Sequence, residues 1–246
     1  MPVDSHSSRL MRFIFEGVIY EFIVLPFGLT CSPRIFTLTT RFVAMLGRRR
    51  GIRSIFYIDD ILVLASSYKK CQEQVMWLHD TLTRLGFLIN HRKSDLVPSQ
   101  RFRFLGLIWD TILMRMCLTE ERVLKIRAKA MVVVNNPVVT CFQATALEGS
   151  IISAIDGVPY ARARGRELQH AISAIDLSDN DYRKKLHVSK EVREEALYWT
   201  ELSMDHFVAI KPLVATQVIT TDASLEALGI ELGGETVSFD VSYLGT

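Results

Sequence analysis

A short apolar segment interrupted by two adjacent carboxylates constrains this chain more than any other feature. Residues 54–64 read SIFYIDDILVL, so runs of β-branched and aromatic residues flank Asp59 and Asp60. Such runs predict a β-hairpin with the turn-forming Asp pair at its tip. Carboxylates held this way suit Mg²⁺, which keeps its other positions for water and phosphate oxygens. The alternative is an ordinary Asp-Asp turn between two strands.

Composition, cysteines and histidines narrow the class of protein. The 246 residues are 49% hydrophobic and 23% charged, which is enough to bury one large core or two smaller ones. No apolar run approaches the roughly 18 residues that span a bilayer, and the N-terminus lacks the apolar core of a signal peptide. We therefore expect a soluble intracellular protein without membrane contact, of undetermined oligomeric state. The four cysteines and six histidines show no metal-binding spacing, which leaves carboxylates as candidate metal ligands.

Basic residues are distributed unevenly, although the formal net charge is only +2. Between Phe22 and Ile58 there are six arginines and no acidic residue, and two further basic clusters follow the Asp pair. The N-terminal half thus presents the field that a nucleic acid would meet, unless these clusters are solvated helix faces. The clusters are Arg34, Arg41, Arg48, Arg49, Arg50 and Arg53, then Arg84, Arg92, Lys93, Arg101 and Arg103, and finally Arg122, Lys125, Arg127 and Lys129.

Hydrophobic periodicity and turn residues predict an α+β fold, in which antiparallel strands pack with two helices before the chain becomes mostly helical. Helix starts are expected at Ser32-Pro33, Ser67 and Thr119, and hairpin turns at Glu16-Gly17 and Gly233-Gly234. The predicted strands are 11–15, 18–25, 54–64 as a hairpin, 87–89, 96–97, 102–109, 112–117, 217–221, 228–232 and 236–241. The predicted helices are 33–47, 68–85, 120–135, 140–155, 160–175 and 189–203.

Four motifs in this order resemble reverse transcriptases of retroelements, most closely those of tyrosine-recombinase-type retrotransposons. They are Leu25-Pro26-Phe27-Gly28-Leu29 with Ser32-Pro33 and Phe36, Tyr57-Ile58-Asp59-Asp60, Leu85-Gly86-Phe87-Leu88-Ile89-Asn90 with Lys93-Ser94, and Phe104-Leu105-Gly106. Thr221-Asp222-Ala223-Ser224 also looks like the first strand of an RNase H domain. The resemblance implies a right-hand polymerase with a partial palm at 1–117, a thumb helix at 118–136, a helical thumb or connection at 137–212, and an incomplete RNase H-like domain at 213–246.

The resemblance also implies an active site for template-directed nucleotidyl transfer by two-metal chemistry. Asp59 and Asp60 would be catalytic residues that bind Mg²⁺ or Mn²⁺, and Lys93 would act on the departing pyrophosphate of the dNTP. Tyr57 would support the primer end. The Pro26-Phe27-Gly28 break would approach the template and the incoming nucleotide. Asp222 would be the first metal ligand of RNase H.

A second set of residues would contact the RNA/DNA template-primer duplex. Leu105-Gly106 resembles the primer grip, and Lys125, Arg127 and Lys129 on the thumb helix would follow the phosphate backbone. Each of these site residues could instead have an ordinary structural role. Aromatic residues in strands, surface lysines, Pro-Gly segments that end strands, glycine bulges and Asp residues at strand ends are all common in proteins.

Reverse transcriptases place another catalytic Asp upstream of the first hairpin, and RNase H domains need later carboxylates. The sequence includes neither, nor the fingers that would hold the template, and Asp4 is not expected to substitute for the upstream Asp. We therefore expect an RNA-directed DNA polymerase segment with impaired activity. The alternatives are a catalytically inactive retroelement remnant, which binds nucleic acid or has no activity, and a metal-dependent phosphatase unrelated to polymerases. The last explains the Asp pair but not the other three motifs.

Overall fold

The computed structural model describes residues 2–210, 218–224 and 227–240. The chain divides into two compact units, Met1–Val208 and Ala209–Thr246. The mixture of antiparallel strands and packed helices confirms the predicted α+β class. Within the described ranges, every helix is too short or too polar to cross a bilayer.

The first unit begins with a helical turn and a hairpin. Helix α1 (Ser5–Ser8) is capped by the Asp4 carboxylate, which accepts hydrogen bonds from the backbone N–H groups of His6 and Ser7. A 3₁₀ turn leads into β1 (Arg12–Phe15), which pairs antiparallel with β2 (Val18–Glu21) across the predicted Glu16-Gly17 turn. Strand β2 ends four residues before the predicted end at residue 25.

A small hydrophobic core joins two helices to the central hairpin. Helix α2 (Ser32–Arg49) precedes β3 (Arg53–Tyr57) and β4 (Asp60–Leu64), and helix α3 (Tyr68–Arg84) follows them. The Ser67 hydroxyl accepts a hydrogen bond from the Lys70 N–H at 3.3 Å, which confirms the predicted cap of α3. Val43, Leu78 and Leu82 are buried in this core, and the side chains packed against them are Phe56, Ile61, Val63, Trp77, Phe87 and Ile89.

Two predictions for the segment after α3 are wrong. Residues 87–89 form no strand, because the apolar side chains of Phe87 and Ile89 fill the small core from an irregular loop. Residues 96–97 form no strand either, since the Val97 N–H donates to the Asp95 carboxylate at 3.1 Å in a local turn. Residues 102–109 are not one strand but a hairpin of β5 (Arg101–Phe104) and β6 (Leu107–Asp110), and β6 also pairs with β7 (Arg115–Leu118). The left-handed φ values of Leu105 (52°) and Gly106 (73°) turn the chain where an extended strand was expected.

The rest of the first unit is built on a larger core. Helices α4 (Glu120–Asn135), α5 (Cys141–Ser153), α6 (Arg166–Ser173) and α7 (Lys190–Thr200) surround it, and Val133, Leu147 and Trp199 are completely buried there. The prediction that this region is entirely helical is wrong. Strand β8 (Val138–Thr140) pairs with β9 (Lys185–His187), and the predicted helix 160–175 shortens to a 3₁₀ turn and α6. Strand β10 (Val208–Ala209) lies at the boundary between the two units.

The second unit contains a three-stranded antiparallel sheet in its described part. Strand β12 (Ala227–Leu232) lies between β11 (Ile219–Ala223) and β13 (Glu235–Asp240), and Gly233-Gly234 forms the predicted turn. The predicted strand ends at residues 217 and 241 lie outside the described residues.

We expect the larger core to depend on Trp199. Its side chain is fully buried, and its indole N–H donates a hydrogen bond to the Arg164 carbonyl at 2.6 Å. Trp199→Ala should lower the free energy of unfolding by about 3–5 kcal/mol through the cavity and the lost bond. Urea denaturation measures this change. Leu197→Ala, on the exposed side of the same helix, is the matched control and should cost about 1 kcal/mol or less.

Candidate functional site

The tip of the β3–β4 hairpin differs by one residue from the sequence prediction. The strand register pairs Tyr57 with Asp60, so the two turn residues are Ile58 and Asp59, and Asp60 already belongs to β4. The Asp pair therefore does not form the turn by itself. Ile58 has a φ of 53°, a left-handed conformation that a β-branched residue rarely adopts. Strained residues of this kind are concentrated at functional sites in proteins.

Both carboxylates at the tip are exposed, and the sheet fixes their backbone. Asp59 projects from the turn, and Asp60 lies opposite Tyr57, whose side chain is also exposed. Two hard oxygen donors beside open solvent fit Mg²⁺ or Mn²⁺, because such ions bind through one or two carboxylates and keep room for phosphate oxygens. No cluster of three or more His, Cys, Asp or Glu side chains that could hold a metal ion occurs among the described residues.

Lys93 lies on a loop held by the same small core as the Asp hairpin. Its side chain is exposed, and its backbone N–H donates to the Asn90 carbonyl at 3.0 Å to close a turn. Phe87 and Ile89 fix the start of this loop in the core against which Phe56 and Ile61 of the hairpin also pack. The fold thus supports Lys93 and the Asp pair on one framework, although the ammonium makes no direct contact with either carboxylate.

The Pro26-Phe27-Gly28 segment forms an exposed bend before α2. The Ser32 hydroxyl donates a hydrogen bond to the Pro26 carbonyl at 2.8 Å, which ties the bend to the start of the helix. Gly28 has a φ of 92°, a conformation that favours glycine, and no atom lies within 4 Å of a Cβ built there. The Phe27 ring is fully exposed. The bend therefore leaves an aromatic ring and a stretch of backbone open to solvent.

Arg122 holds the Leu105-Gly106 turn, a role that sequence reasoning missed. Its guanidinium donates hydrogen bonds to the Gly106 carbonyl at 3.1 Å, to the Ser153 hydroxyl at 3.0 Å and to the Ser153 carbonyl. Burial lowers the pKa of this guanidinium. The residue thereby links the β5–β6 turn to α4 and α5. Its position in a basic cluster on α4 was the available signal, but spacing alone does not distinguish a structural arginine from a phosphate-binding one.

The three predicted duplex-binding cations of α4 are not equivalent. The Lys129 ammonium donates to the Ser150 hydroxyl at 2.6 Å and to the Ala146 carbonyl at 3.0 Å, so this side chain is committed to α5. Lys125 and Arg127 are exposed. Side chains two positions apart on an α-helix point in directions that differ by about 200°. Lys125 and Arg127 therefore leave α4 on different sides.

Asp222 belongs to the second unit. It lies on β11, opposite Gly229 of β12, and its side chain is exposed. Its neighbours in the described part of that sheet include no cluster of metal-binding side chains.

Comparison with known proteins finds similar sequences for part of the chain. Residues 1–109 match the family described as reverse transcriptase (RNA-dependent DNA polymerase). A polyprotein of Cassava vein mosaic virus is 28% identical over 106 residues, which cover 43% of this chain. The Gag-Pol polyprotein of Rous sarcoma virus subgroup B (strain Schmidt-Ruppin) is 33% identical over 85 residues, which cover 34% of this chain. These matches span only 16% and 5% of the length of the two polyproteins.

Solved structures show the same fold at low sequence identity. A foamy viral protease-reverse transcriptase in complex with an RNA/DNA hybrid aligns with a TM-score of 0.67 and 20% identity, covering 97% of this chain and 31% of that one. A related foamy viral structure in complex with double-stranded DNA gives a TM-score of 0.66 and 18% identity, covering 97% and 40%. The chain therefore resembles these reverse transcriptase structures in fold, and residues 1–109 match the reverse transcriptase family in sequence.

Two glycines provide a matched test of the turn that Arg122 holds. A Cβ at Gly106 would lie 3.0 Å from Arg122 Nη1, and the φ of 73° is unfavourable for alanine. Gly106→Ala should therefore lower the free energy of unfolding by about 1–2 kcal/mol. Gly149→Ala, in the exposed middle of α5 with open space around it, should raise it by about 0.5–1 kcal/mol. Denaturant titration of both variants tests these opposite signs, and a neutral or stabilising Gly106→Ala contradicts the assignment.

Proposed function

We propose that this chain is the nucleotidyl-transfer segment of an RNA-directed DNA polymerase of a retroelement, closest to the tyrosine-recombinase type of retrotransposon. The observation that carries the proposal is the pair of exposed carboxylates on the β3–β4 hairpin, inside the residues that match the reverse transcriptase family. The substrates would be a dNTP and an RNA/DNA template-primer duplex. We assign residues 1–117 to a partial palm, 118–136 to a thumb helix and 137–212 to the rest of the thumb or connection.

Asp59 and Asp60 would hold Mg²⁺ or Mn²⁺. When bound, such an ion would supply a lower pKa for the primer 3′-hydroxyl and neutralising charge for the leaving pyrophosphate. The contribution of the chain itself is to fix the two oxygen donors. Asp60 is held by its pairing with Tyr57, and Asp59 is held by the tight turn at Ile58.

Nearby side chains would position the other reactants. The exposed ammonium of Lys93 would offset the charge of the departing pyrophosphate or donate a proton to it. Tyr57, exposed beside Asp60, would support the primer end. Phe27 would offer its free ring face to a base, while Pro26 and Gly28 allow the backbone to approach the template.

The thumb would hold the duplex by contacts that do not depend on sequence. Lys125 and Arg127 are exposed on different sides of α4, and each would bind a phosphate on its own side, while the Leu105-Gly106 turn would contact the primer strand. Lys129 would act indirectly, since its bonds to α5 position α4. In the second unit, the β11 strand with Asp222 would begin an RNase H-like domain over residues 213–246, in which Asp222 binds a metal ion.

A second candidate is a catalytically inactive remnant that binds nucleic acid. The observation that favours it is that the described residues bring only two carboxylates to the hairpin tip, whereas two-metal catalysis shares its ions among more ligands. The same basic and aromatic surfaces would then serve binding alone.

Primer extension on an RNA template separates the two candidates. With a labelled DNA primer, Mg²⁺ and dNTPs, the wild-type chain should extend the primer. Asp59→Asn should reduce the rate by at least about a hundredfold, because several kcal/mol of transition-state stabilisation depend on the metal. Asp80→Asn, which removes an exposed carboxylate of α3, is the control and should leave the rate unchanged.

The affinity for the template-primer duplex, measured in parallel by fluorescence anisotropy, completes the comparison. Duplex binding without extension by the wild-type chain favours the inactive remnant. Extension by Asp59→Asn at the wild-type rate contradicts the placement of the metal site at the hairpin tip.

A further inference from the structure

Six exposed cations lie on the chain segments that border the end of the β3–β4 hairpin opposite the Asp pair, and Arg48 and Arg50, two positions apart, leave the end of α2 in different directions. They come from three elements, namely the end of α2, the start of β3 and the first turn of α3, and we call them the hairpin-base patch. Its members are Arg48, Arg49, Arg50, Arg53, Lys69 and Lys70.

The fold brings these three elements together through local contacts. Arg53 pairs with Leu64, so the start of β3 and the end of β4 lie side by side. The Ile52 N–H donates to the Gly47 carbonyl at 3.0 Å, which closes the short connection between α2 and β3. Only three residues separate Leu64 from the start of α3 at Tyr68. The end of α2 and the beginning of α3 therefore both lie near the hairpin base.

Arg50 is pre-positioned within the patch by an aromatic ring. Its guanidinium carbon lies 4.9 Å from the centroid of the Trp77 ring on α3, in a cation–π contact. Lys70 and Trp77 are seven residues apart, so they lie on the same face of α3 about 10 Å from each other. A guanidinium in a cation–π contact still has N–H groups that can donate to a phosphate.

The positive charge of the patch is not neutralised by the surrounding residues. No acidic residue occurs between Phe22 and Ile58. Glu73 lies one turn further along α3, but in the part of the chain that the structure describes none of the six cations forms an ion pair. The N-terminal end of α3 adds the partial positive charge of its helix dipole, whereas the C-terminal end of α2, where Arg48 and Arg49 lie, adds a partial negative charge of similar size.

We propose that the hairpin-base patch binds the phosphate backbone of a nucleic acid, as a contact separate from the Asp pair and from the thumb cations. Two strands of five residues place the patch roughly 17 Å from the hairpin tip, at about 3.3 Å per residue. Four of its six cations are arginines, whose forked guanidinium matches the geometry of phosphate oxygens. A protein partner would require an apolar centre, whereas the patch offers only the half-buried Trp77.

The salt dependence of duplex binding tests this proposal. In the variant Arg48→Gln, Arg49→Gln and Arg53→Gln, Arg50 stays on Trp77 so that the packing is preserved. Each phosphate contact contributes about 0.9 to the slope of log affinity against log salt concentration, so the slope should shrink by about 2–3. Affinity for a fluorescein-labelled 30-base-pair DNA duplex should fall at least about tenfold at low salt.

The matched control removes three exposed cations elsewhere, by Arg162→Gln, Lys185→Gln and Lys190→Gln. This control variant should keep both the affinity and the slope of the wild-type chain. An unchanged slope in the patch variant, or an equal loss in the control variant, overturns the proposal. Thermal unfolding checks that both variants are folded.

A measurement on the unmodified sequence covers the case of a patch variant that does not fold. A dicarbonyl reagent that modifies arginine is applied with and without the duplex, and mass spectrometry locates the modified residues. Protection of Arg48, Arg49 and Arg53 by the duplex is the expected result, and equal modification in both samples overturns the proposal. Asp59→Asn should bind the duplex and show the same arginine protection as the wild-type chain. The outcome of this test therefore does not depend on whether the chain has the proposed polymerase activity.

Discussion

The packing of the β3–β4 hairpin on α2 and α3 is the contact on which the functional surfaces of this protein depend. Val43 from α2 and Leu78 and Leu82 from α3 meet Phe56 and Ile61 of the hairpin in the small core. Each fully buried aliphatic side chain contributes about 1.5–3 kcal/mol, so a few residues suffice to fix the hairpin. Because the strands are rigid, this one contact determines the positions of the Asp pair at the tip and of the basic patch at the base.

The larger core positions the proposed duplex-binding residues of α4 in a different way. It holds α4 against α5 and α7. Two cations of α4 donate hydrogen bonds to backbone carbonyls of neighbouring segments. Arg122 ties down the Leu105-Gly106 turn, and Lys129 bonds to α5. Lys125 and Arg127 remain available on the surface. Cations that are close in sequence therefore divide into structural and exposed ones, and only the exposed ones carry the proposed contacts with phosphates.

Much of the fold could be predicted wherever one local signal decides the conformation. The 3.6-residue period, together with Ser67 and Thr119, located α3 and α4, and the glycine turns at residues 17 and 233–234 located two hairpins. Tertiary packing overrode local pattern elsewhere. The apolar side chains of Phe87 and Ile89 are typical of a strand. In the structure these side chains pack into the small core from a loop. The β8–β9 pair has three residues per strand, too few for a periodic signal.

The candidate site was predictable in its residue types but not in its details. The sequence located the Asp pair on a hairpin, yet the register moved the turn to Ile58 and Asp59, because backbone pairing rather than turn propensity determines which residues lie opposite each other. The roles of Arg122 and Lys129 depend on contacts with residues 16 to 31 positions away, which no local pattern records.

Binding of Mn²⁺ at the hairpin tip tests the central claim most directly. Water-proton relaxation measures the affinity of the full chain for Mn²⁺ without any nucleic acid or dNTP. Asp59→Asn and Asp60→Asn should each weaken binding at least about tenfold, a loss of about 1.4 kcal/mol, because each removes one charged oxygen ligand. Asp80→Asn should leave the affinity unchanged. Equal Mn²⁺ affinity in the wild-type chain and in both tip variants would contradict the assignment of the metal site to Asp59 and Asp60.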